Sequence, residues 1–387
     1  MTRRAIVNAR LVLAGGVREG GLLVDGGRIE AVLSPSQAAP AGVDVIDAGG
    51  AYVAAGLIDV HVHGGGGFDL MTDDIEQVRA YARWVTTRGV TSFLVSTSGR
   101  DHAQIIARLR AVAPAMGVAP GSARVLGFHL EGPYVNPVRK GAFNPKWLRL
   151  PDAGEYGEMA AASGGNIRQM TLAPELPGAD AIIDALRASG ATASMGHTDA
   201  TYMEAMHAIE RGVTHVTHCF NAMRPFGHRD PGVLGAVMTS DAVTAELIGD
   251  GAHVDYAAAR VLLRAKGAAR VVLITDGMPL AGTDDGESEW EGARIRVEGG
   301  KAVRVSDGTI IGGVVTLDQT VRNAVAHMGA PLHDAVAMAS ANAARAMGAG
   351  DRYGLLAAGH AADFIVLDDD LRVQETWVAG ERVYAVR

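Results

Sequence analysis

GLIDVHVHGGGG, residues 56–67, joins an apolar run to two histidines one residue apart and then to four glycines. Side chains at i and i+2 of a strand point to the same side, so His61 and His63 would present two imidazoles together at the end of a strand spanning 56–62. That pair suits one metal ion, because neutral imidazole, helped by carboxylate, is a borderline-to-hard donor for Zn²⁺, Fe²⁺, Mn²⁺ or Co²⁺. Glycines 64–67 would let the backbone turn sharply or crowd against a ligand where a Cβ would interfere.

Downstream of this run the same texture recurs, apolar stretches alternating with amphipathic ones. Candidate strands are 56–62, 90–96, 124–130, 167–173, 191–197, 213–218, 243–249 and 270–275. Helices are expected between them over 73–88, 179–189 and 201–211, each followed by a glycine stop. Eight strand–helix units predict an α/β fold, a (β/α)8 TIM-like barrel. A doubly wound sheet competes, but GGGG after HVH lacks the spacing of a phosphate-binding glycine loop. The two ends read differently: 5–52 and the tail from 355 are short alternating runs with Asp25-Gly26-Gly27 and Ala379-Gly380 as turns. The expected organisation is a small β-sandwich domain formed by both chain ends (1–52 and 355–387) around a barrel at 53–354.

The 387 residues, 48% of them hydrophobic, suffice for a large core. A formal charge of −8 (35 basic less 43 acidic residues), without runs of one sign, speaks against a nucleic-acid surface or a polybasic membrane anchor. The N-terminal stretch is interrupted by Asn8 and Arg10, and no apolar run reaches the length of a membrane span. The single cysteine, Cys219, excludes an internal disulfide framework and is expected to be packing. The expected location is cytoplasmic.

In such barrels chemistry sits at the C-terminal ends of the strands. His61 and His63 end the first candidate strand, Glu131 the third, His197 the fifth, His218 the sixth, and Asp276 the eighth. Singly each has an ordinary structural reading: Glu131 a helix cap, His197 a hydrogen-bonded core histidine. Their joint placement on one rim turns the balance toward a catalytic metal site. His129, on the face of Glu131, is expected behind the ligands; His102, His207, His327, His333 and His360 lack such a context.

These motifs, HVHG (61–64), HLEGPY (129–134), GHTDATY (196–202), THCFNAM (217–223), GDGAHVD (249–255) and TDGM (275–278), in this order resemble the N-acetylglucosamine-6-phosphate deacetylase family of the amidohydrolase superfamily. The resemblance implies a barrel with a β-sandwich and hydrolysis of the acetamide of an amino-sugar phosphate. It implies one metal position among His61, His63, Glu131 and Asp276 and another among Glu131, His197 and His218, holding one divalent ion or two. By the same resemblance Asn221, Ala222 and Arg229 hold the substrate phosphate, Arg229 reaching across a homodimer, and His253 contacts the sugar. Asp276 would act as general base and then general acid. One departure stands out: RKGAFNP (139–145) carries Phe143 where the family commonly has a histidine, leaving Arg139, Lys140 or Asn144 as substitutes. The competing readings are a deacetylase for the galactosamine epimer, another amidohydrolase, or a metal-binding barrel without turnover.

Overall fold

The computed structural model describes residues 3–290 and 292–386. All eight expected barrel strands form, as Leu57–Asp59, Val90–Ser98, Arg124–Glu131, Ile167–Leu172, Thr192–Met195, His215–Val216, Thr244–Ile248 and Val271–Ile274. They lie in one parallel sheet in sequence order. The first and last strands meet through a bridge between Val62 and Gly277. Asp276 N–H donates to the His61 carbonyl at 3.0 Å, and His63 N–H to the Gly277 carbonyl at 2.7 Å. The seam that closes the barrel therefore runs through three of the expected metal ligands.

Helices form where the stop signals predict. Asp74 caps helix Ile75–Trp84 by accepting from Glu76 N–H at 2.9 Å, and the helix tightens into a 3₁₀ turn over Val85–Arg88 before Gly89. Helix Ala179–Ser189 ends at Gly190 in the left-handed conformation. Helix Tyr202–Arg211 begins with a reciprocal capping box between Thr201 and Glu204. The outer faces of the strands and the inner faces of the helices make the main apolar core.

Inside the barrel, directly beneath the rim, the filling is polar. Ser96, His129, Thr171, Thr217 and Ser194 form a buried chain of side-chain hydrogen bonds of 2.6–3.0 Å. Such groups are tolerated in a core because each finds a partner.

Strands from both chain ends share one mixed eight-stranded sheet. Its strand Arg4–Leu13 pairs with Asp44–Asp47 before an irregularity between Ile6 and Ala9 and with Tyr52–Ala55 after it. Asn8, at φ 53°, makes the bend. Beyond the sequence reading lies a three-stranded antiparallel sheet, Gly286–Trp290, Ala293–Glu298 and Lys301–Arg304, with its own small core around Ile295, Val297 and Met278. Among the described residues no helix is long and apolar enough to cross a membrane.

The glycines after His63 act differently from one part of the expectation. A Cβ on Gly64 would lie 2.5 Å from the Phe68 carbonyl oxygen and 2.9 Å from Pro279 N; one on Gly66, at φ +61°, would lie 2.3 Å from the Trp84 ring. They turn and crowd the chain against its own framework, on the side of Trp84 and Pro279.

Candidate metal-dependent active site

Six side chains converge at the C-terminal rim. His61, His63 and Asp276 form one group of potential donors and Glu131, His197 and His218 a second, the donor atoms of each lying within 4.8 Å of one another. Glu131 stands between the groups. Its Oε1 lies 3.4 Å from His61 Nε2, 3.3 Å from His197 Nε2 and 3.2 Å from His218 Nε2, and its Oε2 lies 3.3 Å from His63 Nε2. Asp276 Oδ1 is 3.4 Å from Nε2 of both His61 and His63.

The backbone holding these groups is unusual. His197, His218 and Asp276 all have positive φ, at 48°, 27° and 47°. Non-glycine residues adopt that region rarely and at a cost, and they do so where the surroundings enforce it. Each of these strands thus ends in a left-handed residue whose side chain is thrown toward the centre of the rim.

A divalent cation fits this arrangement. The Nε2 atoms of His61 and His63 face each other at 3.3 Å, and those of His197 and His218 at 3.0 Å, all buried. Two imidazole lone pairs so placed repel unless a cation or a proton lies between them. The nitrogen, oxygen and carboxylate donor set, without thiolate, suits a catalytic ion. Burial opposes protonation of His61, but the carboxylates of Glu246, Glu131 and Asp276 outweigh it and lift its pKa well above the ordinary value. Burial likewise opposes a charge on His63, and hydrogen bonds to Asp276 and Glu131 nevertheless raise it to about 9. For Glu131 and Asp276 burial acts upward, and the surrounding histidines, His61 first, more than offset it, so both carboxyls lie below their usual range.

The supports behind the donors are specific. His197 Nδ1 lies 2.9 Å from the Arg139 carbonyl oxygen, and Arg139 is itself anchored by Asp199 at 2.7 Å. His61 Nδ1 lies 2.9 Å from Glu246 Oε2. His129 sits outside both donor groups, edge-on to His61 with ring centroids 4.5 Å apart; burial holds its pKa well below the ordinary value. Sequence reasoning missed Glu246 and its partners His215 and Gln169. The available signal was a carboxylate in the middle of the apolar run VTAELIG (243–249).

A cavity of about 610 Å³ opens over the rim, within the size range of small-molecule sites. Asn221, Ala222 and His253 line it together with Lys140, Phe143 and Asn144. His253 Nδ1 is held by Asp250 at 2.7 Å. Phe143 packs edge-on against His197, centroids 4.7 Å apart. Of the three residues considered in place of the family histidine, Lys140 and Asn144 face the cavity, while Arg139 is engaged with Asp199. The three-stranded sheet contributes Trp290 and Arg304 to the wall. Arg229 is exposed on the loop between strand His215–Val216 and helix Gly232–Thr239 and is not among the residues lining the cavity of its own chain.

A parallel barrel with imidazole and carboxylate donors on its C-terminal rim is the architecture of metal-dependent hydrolases, and residues 52–383 match the family model of the amidohydrolase family. The chain belongs to that family. Within it, the similarity is to amino-sugar phosphate deacetylases. The N-acetylglucosamine-6-phosphate deacetylase of Lysinibacillus sphaericus is 36% identical over 339 residues, 88% of this chain and 87% of that protein. The N-acetylgalactosamine-6-phosphate deacetylase of Escherichia coli O157:H7 is 35% identical over 342 residues, 88% of this chain and 90% of that one. A mutant N-acetyl-D-glucosamine-6-phosphate deacetylase of Mycobacterium smegmatis, solved in complex with N-acetyl-D-glucosamine-6-phosphate, superimposes with a TM-score of 0.92 at 35% identity, covering 100% of both chains.

Proposed function

We propose that the protein hydrolyses the acetamide of N-acetylglucosamine 6-phosphate to glucosamine 6-phosphate and acetate, using one or two divalent ions held by His61, His63, Glu131, His197, His218 and Asp276. The observation that carries the reading is Asp276, a carboxylate whose side chain is only 15% exposed, set between two histidines at the floor of the cavity. A divalent ion in such a site lowers the pKa of water from about 15.7 to roughly 7 and polarises a carbonyl oxygen.

Asp276, ionised because its carboxyl lies below the ordinary range, accepts a proton from the attacking water as the carbon–oxygen bond forms. It returns that proton to the sugar nitrogen as the carbon–nitrogen bond breaks, leaving a free amine and acetate. With a single ion bound, a histidine of the second group, His197 or His218, would polarise the acetyl oxygen in place of the second ion. Asn221 and Ala222 hold the phosphate, and Lys140, whose ammonium donates to the Gly141 carbonyl at 3.3 Å, adds a positive charge at the mouth. Arg229 completes the phosphate site from the second subunit of a homodimer, its planar fork matched to phosphate oxygens. His253 contacts the sugar. We place the enzyme in the cytoplasm, in amino-sugar catabolism or recycling.

A second substrate has a specific observation behind it, the 35% identity to a galactosamine-epimer deacetylase. The test is acetate release by metal-loaded protein from N-acetylglucosamine 6-phosphate, its galactosamine epimer and unphosphorylated N-acetylglucosamine. Phosphate-dependent release that favours the glucosamine compound is expected. Preference for the epimer would replace the substrate, and no release from any of the three would overturn the reading.

A further inference from the structure

Glu246, in strand Thr244–Ile248, is fully buried, belongs to neither donor group and makes more polar contacts than any one ligand needs. Its Oε2 receives His61 Nδ1 at 2.9 Å and the backbone N–H of His218 at 3.0 Å. Its Oε1 receives His215 Nε2 at 3.0 Å and Gln169 Nε2 at 2.8 Å. The amide of Gln169 and the N–H of His218 are fixed donors, so the carboxylate is the acceptor throughout, and its four main lone-pair directions are filled.

Two consequences follow from this pattern. A carboxylate facing His61 Nδ1 requires the proton on that nitrogen, which leaves the Nε2 lone pair pointing at the donor cluster. The same oxygen accepts from His218 N–H, at the residue whose φ is 27°. One side chain thereby steadies a ligand from each group, His61 in the first and His218 in the second. We propose that Glu246 is a positioning residue of the metal centre, which sets the tautomer of His61, holds the left-handed turn at His218, and so links the two donor groups. The proposal rests on the reading of the rim as a metal site.

Zinc binding separates the two. Wild-type protein is titrated with Zn²⁺ in competition with a chromophoric chelator, beside Glu246→Gln and Gln169→Met. Glu246→Gln places an amide NH₂ against either His61 and His218 or His215 and Gln169, all donors, and its zinc affinity is expected to fall roughly 10–100-fold. Gln169→Met removes a partner of the same carboxylate while leaving both ligand contacts, and less than about a threefold loss is expected by that reasoning. Equal loss in both variants would mean a packing effect and overturn the proposal, as would unchanged affinity in Glu246→Gln. Failure of the wild type to bind zinc would overturn the metal reading with it. Because Glu246→Gln can fail to fold, ¹⁵N-histidine spectra of zinc-loaded wild type supply a second readout. A proton on Nδ1 of His61 is expected, its signal assigned by loss in His61→Asn, and a proton on Nε2 would refute the proposal.

Discussion

At the scale of single residues, the site is a competition for lone pairs. His63 with a pKa near 9 carries a proton at neutral pH in metal-free protein, and a metal ion must displace it. The sign follows: below pH 9 proton and metal compete, so apparent metal affinity rises as pH increases from 6 to 8. Calorimetric zinc titrations at pH 7 in buffers of different ionisation enthalpy should report release of about one proton or more per chain; a binding enthalpy independent of buffer would contradict this. Asp276 permits a sharper separation of roles. Asp276→Asn should keep at least part of the bound metal through the other five ligands and lose at least about a hundredfold in kcat, measured as acetate release alongside metal content. Near-normal turnover would remove Asp276 from the proton path. Cys219 is the contrasting case, a thiol pushed up to about 12 by burial and fully enclosed. It should resist alkylation in folded protein and react after denaturation, as mass spectrometry would record.

Secondary structure elements show why small local signals matter in a fold of this size. Helix Tyr202–Arg211 starts on two reciprocal bonds, Thr201 N–H to Glu204 Oε2 at 2.8 Å and Glu204 N–H to Thr201 Oγ1 at 3.3 Å. Thr201→Ala should cost about 1 kcal/mol in denaturant unfolding with acetate release per folded chain unchanged, since Thr201 is not among the residues lining the cavity. A loss of activity without a loss of stability would show that the helix start reaches the site in some other way. The three-stranded sheet from 286 to 304 carries a readable signal of its own, alternating residues broken by Gly299-Gly300. Its period-2 pattern marks strands, but only its packing shows that Trp290 and Arg304 are brought to the wall of a cavity formed mainly by barrel loops.

For the whole molecule, the junction between barrel and terminal sheet includes a buried ion pair beside the apolar contacts of Ile365, Leu367 and Val373. Arg124, at the start of the third barrel strand, meets Asp363, beside the strand Phe364–Leu367, with side chains 11% and 4% exposed. Asp363 also accepts from Ala379 N–H at 2.7 Å, and Arg124 lies over the Tyr353 ring. Asp363→Ala leaves a buried guanidinium without its counter-charge and should lower unfolding stability by about 3 kcal/mol or more; a change under about 1 kcal/mol would show that water reaches the arginine. The barrel was legible because eight apolar runs separated by capped helices are local patterns, and because strand ends are known once strands are. The six rim residues were legible for the same reason, since His61, His197, His218 and Asp276 each sit two positions past a strand, Glu131 is the last residue of one and His63 follows His61 by two. What the linear order could not contain is the set of distances between residues far apart in the chain. The chain alone thus dictates strands, helix boundaries and a rim of histidines and carboxylates, because periodicity and capping act over a few residues. Closure of the seam at 61–63 and 276–277, the left-handed turns that aim three rim side chains, and the meeting of Glu246 with His61, 185 positions away, belong to the tertiary structure, because only packing brings such residues within hydrogen-bond reach and repays the strained backbone that holds them there.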